Sequence, residues 1–161
     1  MIWLIGNKGM LGSEIARQLE FNNINFIGTD RDVDITNIDS LRSFINNIKN
    51  NSQYESDNNV TWIINCSAYT AVDKAEEEFE LATLINEIGV KNIATIAKEN
   101  NSRLIHISTD YVFDGNGTRP YLESDSIAPI GAYGLTKANG EKAAQAILKE
   151  LYIVRTAWLY G

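Results

Sequence analysis

The chain has 161 residues, 44 % of them hydrophobic and 22 % charged, which is the composition of one folded globular domain with a real core. Its 21 acidic against 14 basic residues give a formal charge of -7. That balance excludes a broad phosphate-neutralising face, so no nucleic-acid partner is expected.

Cys66 is the only cysteine, which excludes an intrachain disulfide and a CxxC metal pair; within "VTWIINCSA" it reads as a buried structural thiol. The start "MIWLIGNKG" has no basic n-region, and no apolar run approaches the roughly 18 residues of a membrane span. A cytoplasmic protein without a membrane partner is expected.

In chain order, the runs "MIWLIG", "NINFIGTD", "VTWIINCSA", "SRLIHISTD" and "LYIVRTAW" read as buried strands. Between them "MLGSEIARQLEF", "IDSLRSFINNIKN", "EFELATLINEIGVKNIATIAKEN" and "GLTKANGEKAAQAILKEL" space their apolar residues by three and four, as helices do. Alternating strands and helices predict a Rossmann-like α/β domain, a doubly wound parallel sheet flanked by helices over residues 1–161. The Asn-rich "NNIKNNSQYESDNN" reads as a surface connector. "FDGNGTRPYLESDSIAPIGA" holds both prolines and has no clean period, so it reads as a functional irregular segment.

The first strand runs into "GNKGMLG", with Gly6, Gly9 and Gly12 at three-residue spacing. A tight strand-to-helix turn needs positive φ, and a closely approaching pyrophosphate leaves no room for a side chain. The following helix N-terminus offers free N–H groups to phosphate. The second strand ends at Asp30, whose carboxylate suits the ribose 2′-hydroxyl of NADH. Arg31 follows, and its guanidinium suits the 2′-phosphate of NADPH; both cofactors stay open. Asp34 and Ile35 stand where an adenine ring would be flanked, although Asp34 also reads as a loop residue or helix cap. Thr109 ends the fourth strand, at the carboxyl edge where open α/β sheets bind ligands.

Tyr133 and Lys137 open the last helix at a spacing of four, one turn apart. An ammonium beside a phenol favours phenolate and lowers the tyrosine pKa from its ordinary value of about 10. A tyrosine so tuned can exchange a proton with a substrate oxygen while a nicotinamide exchanges hydride with the adjacent carbon. Thr109 is then placed to hold that oxygen. His106, inside a predicted strand, reads as a core histidine.

Together "GNKGMLG", Thr109 and the Tyr133–Lys137 pair resemble the extended short-chain dehydrogenase/reductase superfamily. Within it, "NCSAYTAVDKAE", "STDYVFDG", "YGLTKANGEK" and "VRTAWLYG" are similar to the dTDP-4-dehydrorhamnose reductase family, from Ile5 to Gly161. The resemblance implies NADPH- or NADH-dependent reduction of the 4-keto group of a dTDP-sugar. It implies that Gly6, Gly9, Met10 and Leu11 line the pyrophosphate turn, that Asp30 and Arg31 face the adenine ribose, and that Asp34 and Ile35 flank the adenine. Ala68, Tyr69 and Thr70 continue along the dinucleotide. Tyr133 is implied as proton donor, Lys137 as the group that binds the nicotinamide ribose and tunes Tyr133, and Thr109 as the holder of the keto oxygen. Val72, Asp73 and Lys74 are implied near substrate; Asp73 and Lys74 read equally as a helix-start ion pair.

Some family members bind magnesium between subunits through glutamates, and Glu14 matches one such position; an exposed helix glutamate is the competing reading. A homodimer is implied on the same footing. The family also needs a carboxy-terminal substrate lobe of roughly another hundred residues, and "VRTAWLYG" ends directly after a predicted strand, so that lobe is expected to be missing from this chain. Two relatives in the superfamily stay as alternatives: a sugar-nucleotide dehydratase or epimerase, and an NADP-binding regulatory subunit. The dehydratase needs Asp-Glu after the threonine, and here Asp110 and Tyr111 follow Thr109.

Overall fold

A computed structural model describes residues 1–50 and 59–160. The strands are β1 (Ile2–Ile5), β2 (Phe26–Thr29), β3 (Trp62–Asn65), β4 (Arg103–Thr109) and β5 (Leu151–Thr156). The helices are α1 (Met10–Phe21), α2 (Ile38–Asn50), α3 (Phe79–Thr83), α4 (Val90–Glu99) and α5 (Ala132–Ile147). Short 3-10 turns cover Asp73–Glu76 and Asp110–Val112. Most of the predicted connector after α2 lies outside the described residues.

All five strands are parallel, in the order β2-β1-β3-β4-β5. The chain steps one way from β1 to β2 and then the other way to β3, β4 and β5. Right-handed crossovers therefore put α1 on one face and α2, α4 and α5 on the other. The reversal at β1 opens a crevice at the carboxyl ends of β1 and β3, the usual ligand position in such sheets.

The main core is built from Trp3, Ile5, Ile63 and Leu104 of the sheet against Leu41 and Ile45 of α2, Ile93 and Ile96 of α4, and Ala144 of α5. Helix α2 is fixed in register by Asn37, whose side chain accepts from the N–H groups of Asp39 and Ser40 at 3.0 and 3.4 Å. Its Leu41, Ile45 and Ile48 then fall on one stripe and are buried.

Two predicted helices differ in detail. The long helix before β4 is interrupted by a π-helical turn at Leu84–Gly89, a feature that recurs at functional sites. Helix α5 starts at Ala132 and stops at Ile147, short of the predicted Leu151. The reason is competition: the Glu150 carbonyl already accepts from Leu104 of β4 at 2.9 Å, so the chain must be extended there. Gly140 lets α5 lie directly on the π turn, since a Cβ would overlap the Asn86 carbonyl oxygen.

Candidate active site

The turn after β1 is shaped by glycines with three different jobs. Gly6 has φ +78°, and a Cβ on it would stand 2.8 Å from the Ser67 nitrogen. Gly6 and Asn7 donate to the Thr29 carbonyl at 2.7 and 3.1 Å, which ties the turn to the end of β2. Gly12 sits against that turn, and a Cβ would overlap the Gly6 carbonyl. Gly9 is different. It is the extended residue before α1, and a Cβ would meet only the Gly6 oxygen at 3.4 Å, an ordinary contact. The fold does not need a glycine at position 9. The missing side chain leaves a cradle at the start of α1, where no side chain caps the helix and no acidic residue occupies the first turn. Free N–H groups, a positive dipole end and open space fit a pyrophosphate.

The turn opens into a cleft of about 1170 Å³ at the carboxyl edge of the sheet. Gly6, Gly9, Met10, Leu11, Gly12, Asp30, Arg31, Asp34 and Ile35 line one end, and Ala68, Thr70, Val72, Thr109, Tyr133 and Lys137 line the rest. Asp34 also holds its own loop, accepting from the N–H and hydroxyl of Thr36 at 2.9 and 2.7 Å. It is a loop residue; Asn37 is the cap of α2.

Four predicted positions face elsewhere. The Tyr69 hydroxyl donates to Glu78 at 2.6 Å, and that carboxylate pushes its pKa up to about 12. Asp73 and Lys74 are exposed on the 3-10 turn and do not line the cleft. Glu14 is exposed on α1, where Arg17 and Gln18 donate to its carboxylate and hold its pKa down at about 2. Among the described residues no group of three His, Cys, Asp or Glu side chains is placed to hold a metal.

Thr109, Tyr133 and Lys137 do meet at the cleft, but the electrostatics differ from the sequence expectation. Lys137 is 2 % exposed and donates to the Ile107 carbonyl at 2.8 Å. Burial lowers its pKa to about 8, against the opposing charges of Glu141 and Cys66. The Tyr133 pKa is raised, first by burial, with Thr109 lowering it by hydrogen bonding and Asp110 and Tyr111 raising it further. Lys137 does not lower the Tyr133 pKa in this structure. Its ammonium is spent on β4 and the phenol is left to desolvation. The edge of Tyr111 packs on Tyr133, with ring centres 5.6 Å apart.

Beneath Lys137 lies a buried polar layer that sequence reasoning assigned only in part. Asn65 accepts from the N–H and hydroxyl of Ser67, which turns its amide nitrogen toward His106 Nδ1 at 3.1 Å. An amide nitrogen only donates, so His106 accepts at Nδ1 and carries its proton on Nε2. Burial and the Lys137 charge keep His106 neutral, a core histidine as expected. Cys66 is half-buried at the cleft, not fully buried as expected, and burial pushes its thiol up to about 11.

Three residues were missed. Glu141, one turn past Lys137 and 1 % exposed, accepts twice from Arg155 of β5, at 3.0 and 2.7 Å. Asn86, on the π turn, accepts from the Tyr69 N–H at 2.9 Å and donates to the Tyr69 carbonyl and the Thr136 hydroxyl. It ties the loop at Tyr69 to α5. A polar residue on an otherwise apolar stripe was its signal. Glu76 accepts from the Ala132 N–H at 2.7 Å.

The whole chain, residues 1–161, matches the family described as RmlD substrate binding domain, and it belongs to that family. It is 42 % identical to the dTDP-4-dehydrorhamnose reductase of Escherichia coli (strain K12), over 99 % of this chain and 52 % of the relative. It is 40 % identical to the dTDP-4-keto-6-deoxy-D-glucose reductase of Streptomyces niveus, over 99 % and 53 %. Among solved structures, a dTDP-4-dehydrorhamnose reductase from Clostridium acetobutylicum superposes with a TM-score of 0.90 at 45 % identity, covering 99 % of this chain and 54 % of that one. The Bacillus anthracis dTDP-4-dehydrorhamnose reductase in complex with NADP superposes at 0.89 and 36 % identity, covering 99 % and 53 %. The chain thus spans about half the length of the curated relatives it matches.

Proposed function

We propose that this chain is the dinucleotide-binding part of a dTDP-4-dehydrorhamnose reductase, which uses NADPH or NADH to reduce the 4-keto group of dTDP-6-deoxy-L-lyxo-4-hexulose to dTDP-L-rhamnose. One observation carries the reading: the Gly9 cradle, Asp30 with Arg31, and the Thr109, Tyr133 and Lys137 side chains line a single continuous cleft. The nucleotide part of a cofactor and a reacting carbonyl would be held in the same groove.

The bound dinucleotide supplies the hydride that adds to the keto carbon. The residues of this chain do the rest. Thr109 holds the keto oxygen, and the Tyr133 phenol delivers the proton that the oxygen needs as its charge grows. Lys137, anchored on Ile107 at the floor of the cleft, would hold the nicotinamide ribose. Asp110 and Tyr111 occupy the positions where an eliminating enzyme needs its Asp-Glu pair, which favours reduction over dehydration. Substrate grip on the nucleotide and diphosphate is assigned to the half of the relatives' length that this chain does not span. Glu14, the one weak candidate for a bridging magnesium, pairs with Arg17 and Gln18 on the exposed face of α1. A homodimer in the cytoplasm completes the reading, testable by sedimentation and fractionation.

The decisive experiment is an oxidation assay at the nicotinamide absorbance with full-length protein, NADPH or NADH, and either dTDP-4-keto-6-deoxysugar named for its relatives. Turnover with the L-lyxo substrate supports the proposal. Tight dinucleotide binding without turnover on either sugar would point instead to a regulatory subunit.

A further inference from the structure

We propose that Glu76 is the positioning residue for Tyr133: its carboxylate caps α5 from outside the helix and sets where the phenol stands in the cleft. The inference rests on the proposed reductase reading for its kinetic arm only. Helix α5 begins one residue before Tyr133, and its own N-cap is Gly131, which has no side chain to offer. No acidic residue lies in its first turn. The Ala132 N–H, the first of the unpaired donors at that end, is taken by Glu76 Oε1 at 2.7 Å across 56 residues of sequence. A negative group there also meets the positive end of the helix dipole. Gly131 makes room for it, since a Cβ would come within 3.1 Å of the same oxygen.

The turn that presents Glu76 is itself held by backbone hydrogen bonds. Ala75 donates to the Ala71 carbonyl at 3.0 Å, and Glu77 and Glu78 both donate to the Lys74 carbonyl. Buried Ala75 packs with Ala132, and Tyr133 packs against that cluster. The segment Thr70–Glu76 therefore has a division of labour that a substrate role for Asp73 and Lys74 left unexplained. Thr70 and Val72 face the cleft, Ala75 seats the start of α5, and Glu76 ties it down. A general acid a fraction of an ångström out of place loses much of its rate, so the tie acts on the chemistry through Tyr133.

The test uses full-length protein with Glu76→Ala, which removes the acceptor, and Glu76→Gln, which keeps an acceptor without the charge. Glu76→Ala should lower kcat about ten- to a hundredfold, leave the dinucleotide Kd within about twofold, and remove exchange protection from the Ala132 amide while the β1 and α4 amides keep theirs. Glu76→Gln should restore most of the rate and of the protection. The proposal is overturned if Glu76→Ala turns over like wild type, or if it loses dinucleotide affinity and protection across the whole domain, as a general folding role would. Should wild-type protein not reduce either dTDP-sugar, the reductase reading fails, and the local exchange pattern alone decides whether Glu76 holds the start of α5.

Discussion

Lys137 is fastened to the Ile107 carbonyl at 2.8 Å, a backbone group of β4, one helical turn away from the tyrosine it was expected to tune. A buried ammonium with that single strong acceptor gives up its proton early, at about pH 8. The unfolded chain holds the same proton to an ordinary lysine value near 10.5. Between these limits the unfolded state binds more protons, so raising the pH favours the fold.

Wild-type protein should therefore gain stability relative to Lys137→Met as pH rises from about 8 to about 10, by at most about 3 kcal/mol. The difference between the two proteins is the quantity to follow, because Cys66 and Tyr69, whose folded pKa values are raised, pull the other way above about pH 9. Urea unfolding at pH 7, 8, 9 and 10 measures it. Parallel pH curves for the two proteins would show that Lys137 keeps its proton in the fold.

The glycines at 9 and 12 should separate binding from folding. Gly9→Val adds a side chain where the apo fold has room, so the melting temperature should stay near wild type while NADPH and NADH binding falls at least tenfold. Gly12→Val drives a Cβ into the Gly6 carbonyl and should destabilise the fold by several kcal/mol. Fluorescence titration with a thermal melt of each variant checks both. Unchanged dinucleotide affinity in Gly9→Val would remove the pyrophosphate from the turn.

Asp30 and Arg31 share the end of β2 and face the cleft together. If Arg31 pairs with a 2′-phosphate, Arg31→Ala should weaken NADPH by more than about tenfold and NADH by much less, the size of one charged hydrogen-bonded contact. Asp30→Ala should do the reverse. Equal losses for both cofactors in Arg31→Ala would sink its discriminating role.

Tyr133→Phe keeps the ring packed against Tyr111 and removes the proton. In full-length protein kcat should fall by at least the ~10²-fold typical of a lost general acid, with dinucleotide affinity preserved. Stopped-flow hydride transfer and a binding titration check the two halves of this statement. Near-normal turnover would refute the proton-donor role.

The 161-residue chain on its own should bind dinucleotide yet turn over negligible dTDP-sugar, because holding the carbonyl in place draws on binding remote parts of the substrate. On its edge strand, Tyr152 and Val154 are 49 % and 46 % exposed, and Trp158 beyond it is 87 % exposed. Surface of that kind promotes self-association. Sedimentation velocity and a reductase assay on the same sample test this. A strictly monomeric, fully active chain would overturn it.

Much of this protein was legible from local pattern. Five continuous apolar runs became five parallel strands, and α1 and α2 span the residues that their three- and four-residue spacing marks out. Burial of one stripe or of both strand faces is enough to dictate those elements. The meeting of the glycine turn, Thr109, Tyr133 and Lys137 at one cleft was readable as well, since each stands at a strand end or a helix start on the carboxyl edge of the sheet.

What tertiary structure alone decided was where each polar group found its partner. Lys137 turns to Ile107 because β4 lies beneath α5 and offers a carbonyl to a side chain that is 2 % exposed. Tyr69 turns to Glu78, while its backbone is held by Asn86 across the π turn. Glu76 reaches Ala132 over 56 residues. Sequence spacing specifies which side chains share a helix face, but a buried donor takes whichever acceptor the packed sheet brings within about 3 Å. The strength and direction of each pKa shift then follow from that choice and from the loss of solvent around it.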